Sequence, residues 1–289
     1  MAVMKDIRIS VIVPAPHGIQ ACLYLEDWIT ELNGWAGEII VADNSEQFDD
    51  RSDDILRHLR RPGLAMQGLL TEGVKSATGD WVILTEDHCR PLSGVIAEYL
   101  GHVESNPTAD LVAGAVDNLT SRSPWSFVDF LIGLSEQWRE SRIPPRTATN
   151  ANMMIRRRAI VPDELVASGG LLNLTVPRLT RSNRMTRCPT AVVDHVVHLD
   201  RRTAIDFQVA VTYAALSEYR ALAPPHGLCA DIWGLAKLAI ACTVMAPARV
   251  AKNTRGTSQS TLASRLRVAF ACVAIARRLV IMDAKRILG

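Results

Sequence analysis

The chain has 289 residues and a net charge of +2; 48% of its residues are hydrophobic, 21% charged and 5% aromatic. That length holds one large α/β domain with an appendage, or two modest domains, and the scarcity of aromatics argues against stacking platforms for single-stranded nucleic acid. The small net charge hides an asymmetry: residues 224–289 carry ten Lys and Arg against two Asp and Glu, the remainder 22 against 28, so an acidic body precedes a basic tail that needs its own partner.

Ile9 to Val13 (ISVIV) predicts a first strand, stopped by Pro14-Ala15-Pro16-His17-Gly18. The run ends too soon for the apolar region of a secretory leader, and no such signal is expected. Ala21 to Leu32 has helical character. Glu38 to Ala42 (EIIVA) predicts a second buried strand ending in Asp43-Asn44-Ser45, and Glu46 to Asp54 reads as a loop. A helix through Gly68 to Ala77, closed by Thr78-Gly79, leads into a third strand, Trp81 to Leu84, that ends in Thr85-Glu86-Asp87-His88. Leu111 to Val116 predicts a fourth. A helix around Trp125 to Trp138, a Pro/Arg loop, a strand over Asn152 to Ile155, a loop-rich stretch from Pro162 to Pro189 with a helical part, and a helix over Thr203 to Leu222 follow, with a boundary at Pro224-Pro225.

Short apolar strands alternating with helices predict an α/β fold: a mainly parallel sheet with helices on both faces, plus a C-terminal helical tail. The expected division is a catalytic domain at 1–223 and a tail at 224–289. The six cysteines, Cys22, Cys89, Cys188, Cys229, Cys242 and Cys272, form no CxxC pair and read as reduced thiols; Cys89 stands apart only by its neighbours.

Polar residues gather just after strand ends, at Pro14 to His17, Asp43 to Ser45 and Glu86 to His88. In open parallel sheets ligands bind along that edge. Neither a P-loop nor a GxGxxG follows the first strand. The segment ATGDWVILTEDHCRP delivers Glu86, Asp87 and His88 in succession, and alternation along a strand would put Glu86 and His88 on one side and Asp87 on the other. A carboxylate and an imidazole two residues apart suit a divalent metal, Mn2+ or Mg2+, that holds a nucleotide diphosphate and offsets charge on the leaving group. Lys75 and Arg156 to Arg158 are the cations suited to diphosphate oxygens.

Four segments together resemble glycosyltransferase family 2, the inverting enzymes of GT-A fold: ISVIVPAP, EIIVADNS, GVKSATGDWVIL and TNANMMIRRRAI. The matches span roughly residues 8 to 200 in order. The resemblance implies a nucleotide-sugar donor, UDP-linked by expectation, with Pro14 and Ala15 on the opening strand beside it, Asp43 at the base, Asp87 at the diphosphate, and Asn152 and Arg156 lining the donor or acceptor side. Glu86 and His88 stand where the family has D-x-D, and His195, after Ala191 to Val193, matches a histidine that completes the metal or diphosphate site. One departure is larger. The family's Glu-Asp pair, whose aspartate is the general base, corresponds to Gly169 to Leu174, which holds no carboxylate; Asp163, Glu164 or Asp194 would have to serve.

In the tail, Ile232 to Ala248 and Val268 to Met282 are apolar but interrupted by Lys237 and by Arg277-Arg278. Neither makes a clean twenty-residue span. They read as in-plane helices with cations at anionic headgroups, placing the protein in the cytoplasm, peripheral on the inner face of the cell membrane, with a sugar or lipid-linked acceptor. The alternative is packing on the catalytic domain or on a second subunit, a homodimer. Nucleic acid is not expected as a partner. A catalytically silent GT-A module and a nucleotidyltransferase are the rival functions.

Overall fold

The computed structural model describes residues 7–45, 54–119, 123–141, 147–166, 171–210, 245–253 and 262–288. The chain forms two compact units. The first gathers residues 1–119, 136–139 and 144–196; the second gathers 120–135, 140–143 and 197–289. The boundary expected at residues 223 and 224 lies outside the described residues.

The first unit is built on one eight-stranded sheet. Its strands in chain order are β1 (Ile9–Ala15), β2 (Gly37–Asp43), β3 (Leu56–Arg60), β4 (Trp81–Thr85), β5 (Cys89–Pro91), β6 (Leu111–Asp117), β7 (Asn152–Arg156) and β8 (Met185–His195). Their order across the sheet is β3-β2-β1-β4-β7-β6-β8-β5. β3, β2, β1 and β4 run parallel, as do β6 and β8, whereas β7 and β5 run antiparallel to their neighbours. The sheet is thus mainly parallel, as the alternation of strands and helices predicts. β1, β4 and β6 are buried along their whole length, which is why they read as unbroken apolar runs rather than alternating ones.

Helices cover both faces. On one, α2 (Met66–Ser76), α5 (Pro162–Val166) and α6 (Val176–Arg181) supply Leu70, Val74, Leu165, Val176 and Leu179 to a core with Ile12, Ile40, Val82, Leu84, Met153 and Ile155. α2 lies close because residue 73 is glycine: a Cβ there would sit 2.4 Å from Ile12 Cγ2. On the other, α1 (Leu25–Leu32) and α3 (Val95–Ser105) bring Trp28 and Tyr99, both buried.

Three elements differ from the sequence reading. β3 lies between the loop read over Glu46 to Asp54 and the helix read from Gly68, where no element is expected; β5 adds a three-residue edge strand, and α3 is a full helix. β8 is also longer than its apolar core, Ala191 to Val193. Its early part pairs with β6 through Met185 to Cys188, and a register shift after Gly114 takes up the extra residues.

In the second unit, α4 (Pro124–Leu134) starts on a Ser123 cap whose hydroxyl accepts from the Trp125 N–H at 3.2 Å. Residues 201–210 are helical, and further helices run over Ala246–Asn253 and Leu262–Leu288. No helix among the described residues is long and apolar enough to cross a membrane.

Candidate functional site

Parallel β1, β2 and β4 present their C-terminal ends along one edge, and the register places Ala15 beside Asp43. Asp43 is fully buried. Its Oδ1 accepts from the Ser45 N–H at 2.7 Å; its Oδ2 accepts from the Ser45 hydroxyl at 2.9 Å and the Ile19 N–H at 3.3 Å, and lies 2.7 Å from His58 Nε2. Burial opposes its ionisation, but these hydrogen bonds outweigh burial and hold the carboxyl below its ordinary range. Pro14 and Ala15 line the same strand end, both buried.

β4 stops at Thr85, so Glu86 to His88 form a turn, closed by a 3.0 Å hydrogen bond from Cys89 N–H to Glu86 C=O. This corrects the expected alternation: Asp87 is turned toward His88, not away from it. Asp87 Oδ1 lies 2.7 Å from His88 Nδ1. His88 Nε2 then meets His195 Nε2 at 2.9 Å, and Glu86 Oε2 lies 3.2 Å from the first and 3.5 Å from the second. His195 reaches the cluster because the β5–β8 ladder pairs it with Cys89. Asn150 fixes the other oxygen of Glu86, donating at 2.7 Å.

Two imidazole nitrogens facing each other at hydrogen-bond distance require a proton on one of them or a cation between them. Edges of 2.9, 3.2 and 3.5 Å are the separations that three ligand atoms keep when each lies about 2.1 Å from one ion. Asp87 behind His88 completes the carboxylate–imidazole pair that orients metal-binding histidines. The residues present therefore fit a divalent ion. Without one, burial works against a charged His88, but Asp87 and Glu86 raise it to about 10; Glu86 is held well below its ordinary value, since the two imidazoles outweigh its burial. Cys22 lies between the two halves of the edge: its thiol is pushed up to about 12 by burial, then by the charges of Asp87 and Asp43.

The other expected site residues fall elsewhere. Arg156 is at the opposite end of the sheet, because β7 runs antiparallel: Asn152 pairs with Thr85 at the site edge, but Arg156 pairs with Trp81 at the start of β4. Its guanidinium stacks 4.3 Å from the Trp81 ring and pairs with Asp110 at 3.1 Å. Lys75, near the end of α2 that leads to the start of β4, is bound to Glu72 at 3.0 Å. Asn152 is at the right edge but fully spent: it donates to Ala115 C=O and Ala191 C=O at 2.8 and 2.9 Å and accepts from the Tyr99 hydroxyl at 2.7 Å. These bonds tie Asn152 to β6, β8 and α3.

The three carboxylates considered as general base are likewise displaced. Asp194 is fully buried, paired with Arg90 at 3.2 Å and accepting the Leu119 N–H at 2.7 Å, on the face of β8 opposite His195. Glu164 is held by Arg178 at 2.7 Å and Thr175 at 2.5 Å. Asp163 is exposed on α5, which follows the far end of β7. Asn150 lies within TNANMMIRRRAI but carries no expected role in the sequence reading, and Cys89 stands out there only by its neighbours.

No protein-family profile matches the sequence, and no curated protein matches it. Among solved structures the chain is similar to a mannosyltransferase from Pyrobaculum calidifontis in complex with GDP-Man and Mn2+, with a TM-score of 0.52 and 14% identity over 98% of this chain and 87% of that one. It also matches GalNAc-T7 with UDP, GalNAc and Mn2+ (TM-score 0.48, 12% identity, 78% of this chain, 54% of that one). A further match is glucosyl-3-phosphoglycerate synthase from Mycobacterium tuberculosis with Mn2+, UDP-glucose and phosphoglyceric acid (TM-score 0.43, 15% identity, 75% of this chain, 81% of that one). The first of these carries the fold assignment: this chain has the GT-A fold of glycosyltransferases.

Proposed function

We propose that the protein is a metal-dependent glycosyltransferase that moves a sugar from a nucleoside diphosphate sugar, UDP-linked by the sequence resemblance, to a sugar or lipid-linked acceptor. The observation that carries this reading is the convergence of Glu86, His88 and His195 at the C-terminal edge of a GT-A sheet, with Asp43 two strands away on the same edge. In this reading Asp43 accepts a hydrogen bond from a base N–H, beside Pro14 and Ala15. Glu86, His88 and His195 hold the ion, whose charge would stabilise the leaving diphosphate. Asp87 and Asn150 keep His88 and Glu86 oriented. The test is a panel of UDP- and GDP-sugars incubated with manganese, cobalt or zinc, or with chelator. Release of nucleoside diphosphate with the ion alone supports the reading, and its absence across the panel counts against it.

A second reading, a GT-A module that binds nucleotide without turnover, is favoured by one observation. An inverting displacement calls for a base near the acceptor hydroxyl, and Asp194 and Glu164 are already committed to Arg90 and Arg178. Metal-dependent binding with no turnover would select it.

The proposal extends to a membrane surface, at the inner face of the cell membrane. On the 262–288 helix, Val268, Ala271, Cys272, Ile275 and Leu279 are buried, while Leu266, Phe270, Val273 and Ile281 recur on an exposed stripe. Phe270, Val273 and Ile281 line a cleft of about 440 Å³ with Arg201, Arg277 and Arg278. Apolar groups ringed by guanidinium groups suit an anionic lipid surface. Phe270→Glu with Val273→Glu should abolish flotation with vesicles containing phosphatidylglycerol; unchanged flotation would remove this stripe from the account, and an unchanged oligomeric state would set aside packing against a second subunit.

A further inference from the structure

The cluster holds a fourth donor that the family resemblance does not supply. Cys89 is fully buried and sits opposite His195 in the β5–β8 ladder. Its Sγ and the ligand atoms of Glu86, His88 and His195 all lie within 4.8 Å of one another. Its backbone is fixed from two sides, by the turn bond to Glu86 and by the Trp28 indole N–H, which donates to Cys89 C=O at 3.0 Å. The sulfur is therefore placed by the fold.

We propose that Cys89 is the fourth ligand of this cluster, and that the cluster takes a thiophilic divalent ion of the zinc or cobalt class in preference to manganese or magnesium. The inference rests on the reading of Glu86, His88 and His195 as a metal site. Its own ground is the donor set. One carboxylate oxygen, two imidazole nitrogens and one sulfur form a mixed, soft set; magnesium and manganese favour carboxylate, carbonyl and water oxygens. The donor types match tetrahedral zinc, and atoms lying up to 4.8 Å apart must draw in by about 1 Å to complete the tetrahedron. The sulfur–metal bond forms as the thiol gives its proton to solvent. Four protein donors are the pattern of closed zinc sites, so a diphosphate oxygen would have to enter as a fifth ligand or take the place of one of the four.

Cobalt(II) titration of the full chain, followed by absorption, reads the ligand directly. The expected result is a sulfur-to-cobalt charge-transfer band in the near ultraviolet that saturates at one ion per chain. The band should vanish in Cys89→Ser and persist in Cys22→Ser, the other thiol near Asp87. Zinc should displace cobalt at stoichiometric amounts, and manganese only in roughly 100-fold excess or more, following the affinity order of divalent ions. Cadmium NMR of the unmodified chain gives the same answer if Cys89→Ser fails to fold: a thiolate-shifted resonance supports the proposal. Cobalt bound through Glu86 and His88 with no charge-transfer band, or displaced by equimolar manganese, would overturn the role of Cys89 and leave the metal site standing. No cobalt binding at all would remove both.

Discussion

The two ends of the central sheet carry similar residues and use them in opposite ways. At the N-terminal end, unlike groups meet. The Glu38 carboxylate, almost wholly buried, accepts from Ser10 Oγ at 2.9 Å, Thr78 N–H at 2.8 Å, Thr78 Oγ1 at 2.6 Å and Arg57 at 2.7 Å. Arg156 and Arg184 both pair with Asp110, and Arg157 donates to Gly79 C=O. In one cluster at the C-terminal end, groups that can all ligate a cation face one another: two imidazoles, a carboxylate and a thiol. A group whose partner is already a complementary group holds the fold together. Donors turned on each other are an arrangement that a cation completes.

Removing donors from the converging end should have the largest effect on binding. Glu86→Ala combined with His88→Ala is expected to weaken metal-dependent donor binding by more than the roughly 10–100-fold that loss of a group orienting a ligand brings, and to lower the metal-free melting temperature only modestly, through loss of the Glu86–His88 pair. Calorimetry with UDP and the ion, beside a thermal melt, measures both. A drop in stability with intact binding would show the cluster to be structural.

Glu38→Ala should do the reverse. It strands buried donors of Ser10 and Thr78, at a cost of about 3 kcal/mol, and leaves ion binding unchanged. Glu38 also has a pH signature. Burial alone would raise its carboxyl, but the hydrogen bonds from Thr78, Arg57 and Ser10 lower it from 4.5 to about 2. A depressed carboxyl contributes stability that is fully present above about pH 4.5 and is lost as pH falls toward 2. Denaturant titrations across that window should show the loss in the parent chain and a flatter profile in Glu38→Gln.

Asp87→Asn sharpens the contrast within the site edge. It keeps the shape but removes the charge behind His88, so ion affinity should fall roughly 10–100-fold with little change in fold. The smallest expected effect is at Arg156→Ala. Loss of its stacking on Trp81 and its pair with Asp110 should cost about 1 kcal/mol of stability and leave donor affinity at the parent value. A large loss of donor affinity there would restore the diphosphate role expected from the sequence.

The fold was legible where strands are buried on both faces. ISVIV, EIIVA and WVIL are largely apolar, and the polar residues just past them do gather along one edge of the sheet. β3 was hidden because LRHLR is an edge strand with only Leu56 buried, and β5 because three residues containing Pro91 give no period. α3 does carry a signal, Val95, Ile96, Tyr99, Leu100 and Val103 at helical spacing. The site was legible to the extent that one strand end delivers its residues in sequence, as with Glu86 and His88. His195 came from the family resemblance rather than from spacing. Asn152 and Arg156 show the limit. They sit four residues apart on one strand, and whether each reaches the site depends on the direction of β7, which no local pattern encodes. Asn150 and Cys89 act through a turn and a ladder pairing, and both depend on tertiary placement.

The most direct test of the central claim is anomalous diffraction from crystals of the chain soaked with cobalt and UDP. The account predicts one strong peak within roughly 2.0–2.3 Å of Glu86 Oε2, His88 Nε2 and His195 Nε2, with the nucleotide along the edge between Asp43 and Glu86. Nucleotide bound at that edge with no peak in the cluster, or a peak held by other residues, would contradict it.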